Sequence, residues 1–599
     1  MMRFANSPPQ LKDVVLSRIR HSSIILSTRG PHIYSGKTMK LFVSAILALV
    51  INPCTSFVVG PTTFSSHIQR SSVIVQRKQH YNLQRSDTKL NVALDAATDA
   101  DVALDVKTIG KVVFLLPFDA NAVKSKFGSR SPYGSPSIME AAEQLKRKAK
   151  WFSDGTVDAE IILVPENEDD FSSIRRRVSD ADALIAFNLN RRTDLAFLQD
   201  LFESRRSEGK GDSCHFALDC ADSPSPMCGP YDPSSPTVAS ELLPWTNDAS
   251  GKRMEEQMIG LFDRWTSDDF TVALMLFFNQ FSGSSVDWVK HSIDATWEKG
   301  PVQNAKEFYN MITKCGDCVQ KCVQDEKCKE CLDALTAVDT RDQVASYRTI
   351  VSYESELLKE FSFCILQKNN IFGCDAKIPE LPQVTPMKTF RGKPLTAEVA
   401  RCILVGHLDD EKALDGSERT DISWKVAAGA NVAYDQFPSQ NQIFYETANG
   451  RDMWYDPVFR VETIDGRDVW CKRHYRVRDG PVPGTFRFSV LDNGITSNEF
   501  WTLVDVADDL SHIIFHYAGA AGAVGQRYLG GLLCTAAGSL PSESDREPIY
   551  EKLRSVGIDP WELFVVDNRE DSPGAIDAGP PPLDFFRKDV LQKKNEMKK

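Results

Sequence analysis

Between about residue 421 and Thr535, apolar and polar residues alternate in eight short runs. These are Ser423–Val426, Gln440–Glu446, Met453–Glu462, Asp468–Arg478, Thr485–Val490, Phe500–Val506, His512–Tyr517 and Tyr528–Thr535. A period of two marks a strand with one face buried. Asn449-Gly450, Asp465-Gly466, Asp479-Gly480 and Asn493-Gly494 place tight-turn signals between runs. Strands joined this way form an antiparallel meander, and eight of them followed by one helix (Glu543–Val556) fit an up-and-down barrel with a small-ligand cavity.

The barrel occupies only part of a chain of 599 residues, long enough for three or four domains. Residues 108–225 alternate strands and helices. Val112–Leu116, Ile161–Val164, Ala183–Phe187 and His215–Leu218 read as buried strands, with helical spacing over Ser137–Trp151, Asp169–Val178 and Leu195–Arg205. That order predicts a parallel α/β sheet. Its first strand runs into Pro117-Phe-Asp-Ala without a glycine-rich turn, so no nucleotide cofactor is expected. A Pro- and Ser-rich linker follows, and Met254–Phe281 reads as a core or docking helix rather than a membrane-surface segment. The net charge of -12 argues against a nucleic-acid partner.

Seven of the fourteen cysteines crowd into Cys315, Cys318, Cys322, Cys328, Cys331, Cys364 and Cys374. The two CxxC pairs lie close for a zinc ribbon and no histidine is near, so no metal is expected. Disulfides fit better, with free thiols as the alternative. Cys318 with Cys331 and Cys322 with Cys328 have nearly constant position sums, as rungs of an antiparallel helical hairpin require. Cys315 would then reach Cys364 or Cys374. Disulfides imply an oxidising compartment.

The first 95 residues read as an address. Met39-Lys40 and the apolar run Leu41–Ile51 form a signal peptide, too short for a membrane span, and Phe57–Ser86 is basic, hydroxylated and free of acid like a transit peptide. The expected divisions are a bipartite presequence over 1–95 (signal 39–56, transit-like 57–95), an α/β domain over 108–225 and a linker with amphipathic helices over 226–310. A Cys-rich helical domain over 311–385, a β-barrel with its C-terminal helix over 390–570 and a basic tail over 571–599 follow. The fold class is thus multidomain α+β: a lipocalin-like antiparallel barrel preceded by a Cys-rich helical segment and an N-terminal parallel-sheet α/β domain.

Trp424–Gln440, Phe486–Trp501 and Gln526–Thr535 resemble the lipocalin domain of the violaxanthin de-epoxidase family. Cys364-Ile-Leu-Gln-Lys, Asp375-Ala-Lys-Ile-Pro, Phe390-Arg-Gly-Lys, Pro483–Gly494 and Trp561-Glu-Leu-Phe are closest to its de-epoxidase-related branch. The presequence resembles those of algae with secondary plastids. The resemblance implies a plastid oxidoreductase of the xanthophyll cycle. It would open a carotenoid epoxide with ascorbate as co-substrate, in the thylakoid lumen or at the thylakoid lipid surface, the stroma being the alternative. A homodimer would suit a pigment with two epoxide ends. Asp435, in Tyr434-Asp-Gln-Phe437, matches the family's Phe-Asp-x-Phe aspartate and is the expected acid, with Tyr528 beside it; Tyr434, Phe437, Trp454, Tyr455 and Tyr517 are the expected substrate contacts. The family's second aspartate and its cysteine are replaced by Pro438 and Ser439, and its tyrosine-rich strand by Ile495–Trp501. These departures keep two other readings open, a carotenoid- or lipid-binding lipocalin without catalysis and a plastid assembly protein.

Overall fold

The computed structural model describes residues 110–220, 261–281, 301–407 and 423–569, less short interruptions. The segments expected to be a presequence and a basic tail, and most of the expected linker, lie outside the described residues.

The α/β domain is built around β1 (Gly110–Pro117), whose Val112–Leu116 are fully buried. α1 (Ile138–Phe152) starts at a capping box, in which the Ser137 side chain accepts from Glu140 and the Glu140 carboxylate accepts from the Ser137 backbone. β2 (Val157–Val164), α2 (Phe171–Arg177), β3 (Ala183–Phe187), α3 (Arg192–Ser207) and β4 (Cys214–Leu218) follow, and the all-parallel sheet has the order β2-β1-β3-β4. α1 and α4 (Ser267–Phe281) cover one face, and α2 and α3 the other. Burial on both faces is why the strands read as unbroken apolar runs.

The helical segment comprises α5 (Pro301–Gln324), α6 (Glu326–Leu335), α7 (Gln343–Ser352) and α8 (Glu356–Ser362), which runs into a π-helical turn, Phe363–Lys368. Cys322–Cys328 bridges the α5–α6 hairpin, and Cys315–Cys364 ties α5 to the π-turn. Cys318 and Cys331 are thiols here, so the expected outer rung of the hairpin is not formed. Among the described residues no helix is long and apolar enough to cross a membrane.

A two-residue hairpin, β5 (Thr389–Phe390) with β6 (Lys393–Pro394), leads through α9 (Ala397–Val405) into the barrel. Its strands are β7 (Trp424–Gly429), β8 (Asn441–Glu446), β9 (Met453–Glu462), β10 (Asp468–Lys472), β11 (Tyr475–Asp479), β12 (Thr485–Asp492), β13 (Ile495–Val506), β14 (His512–Ala521) and β15 (Gln526–Thr535). β10 and β11 form one strand broken at Arg473 and His474, each half pairing β9. Each strand pairs its neighbour antiparallel, and β15 pairs β7, which closes an eight-stranded up-and-down barrel.

Two ends follow from the register. At one, α9 plugs the barrel: the Trp424 indole donates to the Ile403 and Leu404 carbonyls at 3.1 Å, and Leu404 is fully buried. At the other end lie the turns after β7, β12 and β14. Gly494 sits at φ 84° in the β12–β13 turn, and a Cβ there would come within 2.5 Å of the Lys359 carbonyl. The helical segment therefore rests directly on this end, and the Gln367 side chain accepts from the Thr496 backbone at 2.8 Å. α10 (Ala433–Gln436) lies in the β7–β8 connection, α11 (Glu543–Ser555) packs outside the barrel over Ile514 and Leu533, and β16 (Phe564–Val565) adds to β7.

Candidate functional site

The end of the barrel away from α9, and the interior next to it, gather one acid and four tyrosines. Glu499 stands opposite Phe488 across β12–β13 and opposite Gly519 across β13–β14. Residues opposed in an antiparallel pair face the same side. Phe488 belongs to the inner core, so Glu499 faces in as well. It is 8% exposed. The Tyr528 hydroxyl donates to one carboxylate oxygen at 2.7 Å and the Trp501 indole donates to the other at 2.6 Å. Burial pushes the Glu499 carboxyl above the ordinary glutamate range, although both donors favour its charged form. A carboxyl so placed holds its proton to higher pH and can serve as an acid.

Three glycines make room for the tyrosines. A Cβ at Gly519 would lie 2.1 Å from the Tyr528 ring, one at Gly530 2.2 Å from the Tyr517 hydroxyl, and one at Gly429 2.1 Å from the Tyr434 ring. The wall is thinned where each ring folds across it. The Tyr434 and Tyr517 hydroxyls share a hydrogen bond, and burial raises both phenols. Below them the interior is aromatic. Phe444 stacks on Tyr455 at 4.6 Å and Phe488 on Trp501 at 4.6 Å, and Tyr517 lies 5.7 Å from Trp501. The Tyr455 hydroxyl donates to the Gln442 side chain. The site thus presents one protonatable carboxyl and a row of hydroxyls to an otherwise apolar, ring-lined interior.

The structure brings Tyr434, Tyr455, Tyr517 and Tyr528 to this site. Asp435 lies on α10, and its side chain is outside the described residues. Trp454 does not join them. Alternation along β9 puts it on the outer face, stacked on His474 at 4.1 Å, and His474 Nδ1 lies 2.6 Å from the fully buried Asp456. Phe437 is buried outside the barrel, between Tyr347 of α7 and Phe459. Glu499 was not among the residues expected from sequence. Among the described residues no cluster of His, Cys, Asp or Glu is placed to hold a metal ion.

Residues 307–568 match the family described as the VDE lipocalin domain. No curated protein matches. Among solved structures, the siderocalin Ex-FABP is similar at 10% identity over 24% of this chain and 93% of its own, with a TM-score of 0.20. Lobster apocrustacyanin A1 is similar at 10% identity over 33% and 98%, with a TM-score of 0.21. The bovine lipocalin allergen Bos d 2 is similar at 8% identity over 26% and 94%, with a TM-score of 0.18.

Proposed function

We propose, for a chain that belongs through residues 307–568 to the violaxanthin de-epoxidase family, that it reduces a xanthophyll epoxide with ascorbate and that Glu499 is the acid. One observation carries the assignment of the acid: a buried carboxyl with raised pKa, facing into an aromatic barrel and held by two donors. An epoxide end group inserted between the tyrosines would meet the carboxyl in a water-poor pocket. Glu499 would give its proton to the epoxide oxygen as the C–O bond breaks. Ascorbate supplies two electrons and ends as dehydroascorbate, its two protons balance the oxygen that leaves as water, and the epoxide becomes an alkene. Tyr528 and Trp501 orient the carboxyl, while Tyr434 and Tyr517 lie in reach of a ring hydroxyl. A plastid compartment of low pH, reached through the presequence, suits a carboxyl that must be protonated to act.

The test is turnover of violaxanthin with ascorbate and lipid, pigments being separated by chromatography. Positioned proton transfer contributes about 10²–10⁴-fold, so Glu499→Gln should lose at least about 100-fold while still binding pigment. Full activity in that variant would remove Glu499 from the mechanism, and loss in Asp435→Asn alone would return the role to Asp435. Bound pigment without product in the wild type would leave a carotenoid-binding lipocalin.

A further inference from the structure

The family match begins at residue 307, so the α/β domain before it has no task in that reading. We propose that this domain is a fixed wall of the ligand mouth, locked to the barrel by Glu562, and that it restricts entry to molecules arriving end-on. The proposal rests on the barrel being a pigment site.

The lock is a carboxylate on the Pro560–Glu562 turn that follows the barrel, 6% exposed. It accepts from Lys148 Nζ at 2.7 Å, from the Gln144 amide at 2.6 Å, from the Asp559 backbone at 2.9 Å and from the Ser267 hydroxyl. Lys148 also pairs with Asp268 at 2.7 Å. Gln144 and Lys148 stand on α1 and Ser267 and Asp268 open α4, so three segments distant in sequence converge on one group. A buried charge cluster with every partner in place is costly to open, unlike a surface ion pair. Packing extends it. Tyr133 meets Tyr550 at 4.7 Å, Phe127 meets Trp561 at 6.1 Å, and Arg147 pairs with Asp559 at 2.8 Å.

The lock sits beside the mouth. Arg527, next to Tyr528 on β15, lies over the Trp151 ring of α1 at 5.5 Å. Ala430, the residue after β7, and Phe564 share a crevice with Gly128, Trp265 and Asp268. The wall therefore covers the β7 and β15 side, while the helical segment holds the β12–β13 turn at Gly494 and Thr496. Between two fixed walls a long apolar rod can enter only along the barrel axis, whereas a short ligand of the same chemistry is little hindered.

The experiment uses the full chain, with zeaxanthin and the shorter retinol as probes and tryptophan quenching as the readout of association. Hydrogen exchange across residues 138–152 and 557–563 reports docking. In Lys148→Met/Glu562→Gln, exchange should quicken on both sides by about tenfold. The zeaxanthin-to-retinol ratio of association rates should rise by about fivefold. Trp151→Ala removes the rim contact without touching the ion cluster and should raise the same ratio, which keeps the question decidable if the double variant does not fold. Unchanged exchange in the folded double variant would overturn the lock, and an unchanged ratio in a loosened domain would overturn the wall. If neither probe binds the wild type, the pigment reading falls and the wall with it; binding with an unmoved ratio sinks the wall alone.

Discussion

His516 should make this protein lose stability on mild acidification. It lies on β14 between Phe515 and Tyr517, which face into the barrel, so its own ring lies on the outer side, where it is 4% exposed. Burial alone lowers its pKa from 6.5 to about 4. The folded state thus keeps the ring neutral while the open chain takes a proton near the ordinary histidine value. The sign follows: this group's contribution is fully present above 6.5 and is lost as pH falls toward about 4, below which the folded ring protonates too and the loss levels off. At ~1.36 kcal/mol per pH unit the whole span is worth about 3.4 kcal/mol, and the part between pH 7 and pH 5 about 2 kcal/mol. His516→Leu, close in volume, removes the titration. Urea unfolding followed by tryptophan fluorescence, at a series of pH values, compares the two chains. The variant's stability should fall less than the wild type's between those pH values by about 2 kcal/mol. Parallel pH profiles would refute the reasoning, because they would mean that the ring takes its proton as readily in the fold as outside it.

Three further outcomes follow from the packing. In the chain-entropy description, breaking Cys315–Cys364, which closes a loop with a sequence separation of 49, should cost about 4 kcal/mol, and breaking Cys322–Cys328, with a separation of 6, about 2 kcal/mol; unfolding of the paired Ser variants should rank them in that order. Gly519→Ala drives a Cβ into the Tyr528 ring, so it should cost about 1–3 kcal/mol and lower turnover about as much as Tyr528→Phe does, with the pH profile of activity shifting in both. Arg473 lies 2.9 Å from Asp492 and 3.5 Å from Glu354, near the Tyr347 ring, so Arg473→Met should cost about 3 kcal/mol and speed hydrogen exchange in α7.

The order of strands was readable because a barrel wall packed on one side imposes a period of two, and the four-stranded sheet because burial on both faces leaves unbroken apolar runs. The reading failed where the site lies. β13 begins at Ile495, not at Phe500, because Thr496-Ser-Asn-Glu499 breaks the apolar alternation. An inward polar residue interrupts the apolar alternation, so the hydrophobic pattern fades where the barrel interior turns polar. A different signal was present. Asn493-Gly494 is a strong tight-turn pair, and counting outward from it sets Asp492 against Ile495, Phe488 against Glu499 and Phe486 against Trp501. Once the phenylalanines are taken as inward, the glutamate must follow them. Gly519 and Gly530 inside strands were a second signal, since a strand glycine marks a close approach, here of Tyr528 and Tyr517. The seat of Glu562 was only partly signalled: its bond to the Asp559 backbone is a local cap, but its three side-chain donors come from segments hundreds of residues away.

Glu499 and His516 stand on neighbouring strands and burial disfavours the charged form of both, yet acid acts on them in opposite directions. The glutamate's folded pKa is raised, so it binds its proton more tightly in the fold and adds stability as pH falls through that value. The histidine's is lowered, so it subtracts stability over its own range, between 6.5 and about 4. In the wild type the two partly offset each other, and the barrel can enter the pH range where its acid is protonated without losing the full contribution of His516. Removing either group should expose the other. Glu499→Gln, permanently neutral, should steepen the loss of stability on acidification, whereas His516→Leu should flatten or reverse it. A chain in which both changes leave the profile untouched would not have the two groups buried as described. The opposed slopes therefore tie the proposed chemistry to the fold: the low-dielectric barrel that raises the Glu499 carboxyl also sets how far the protein can follow it into low pH.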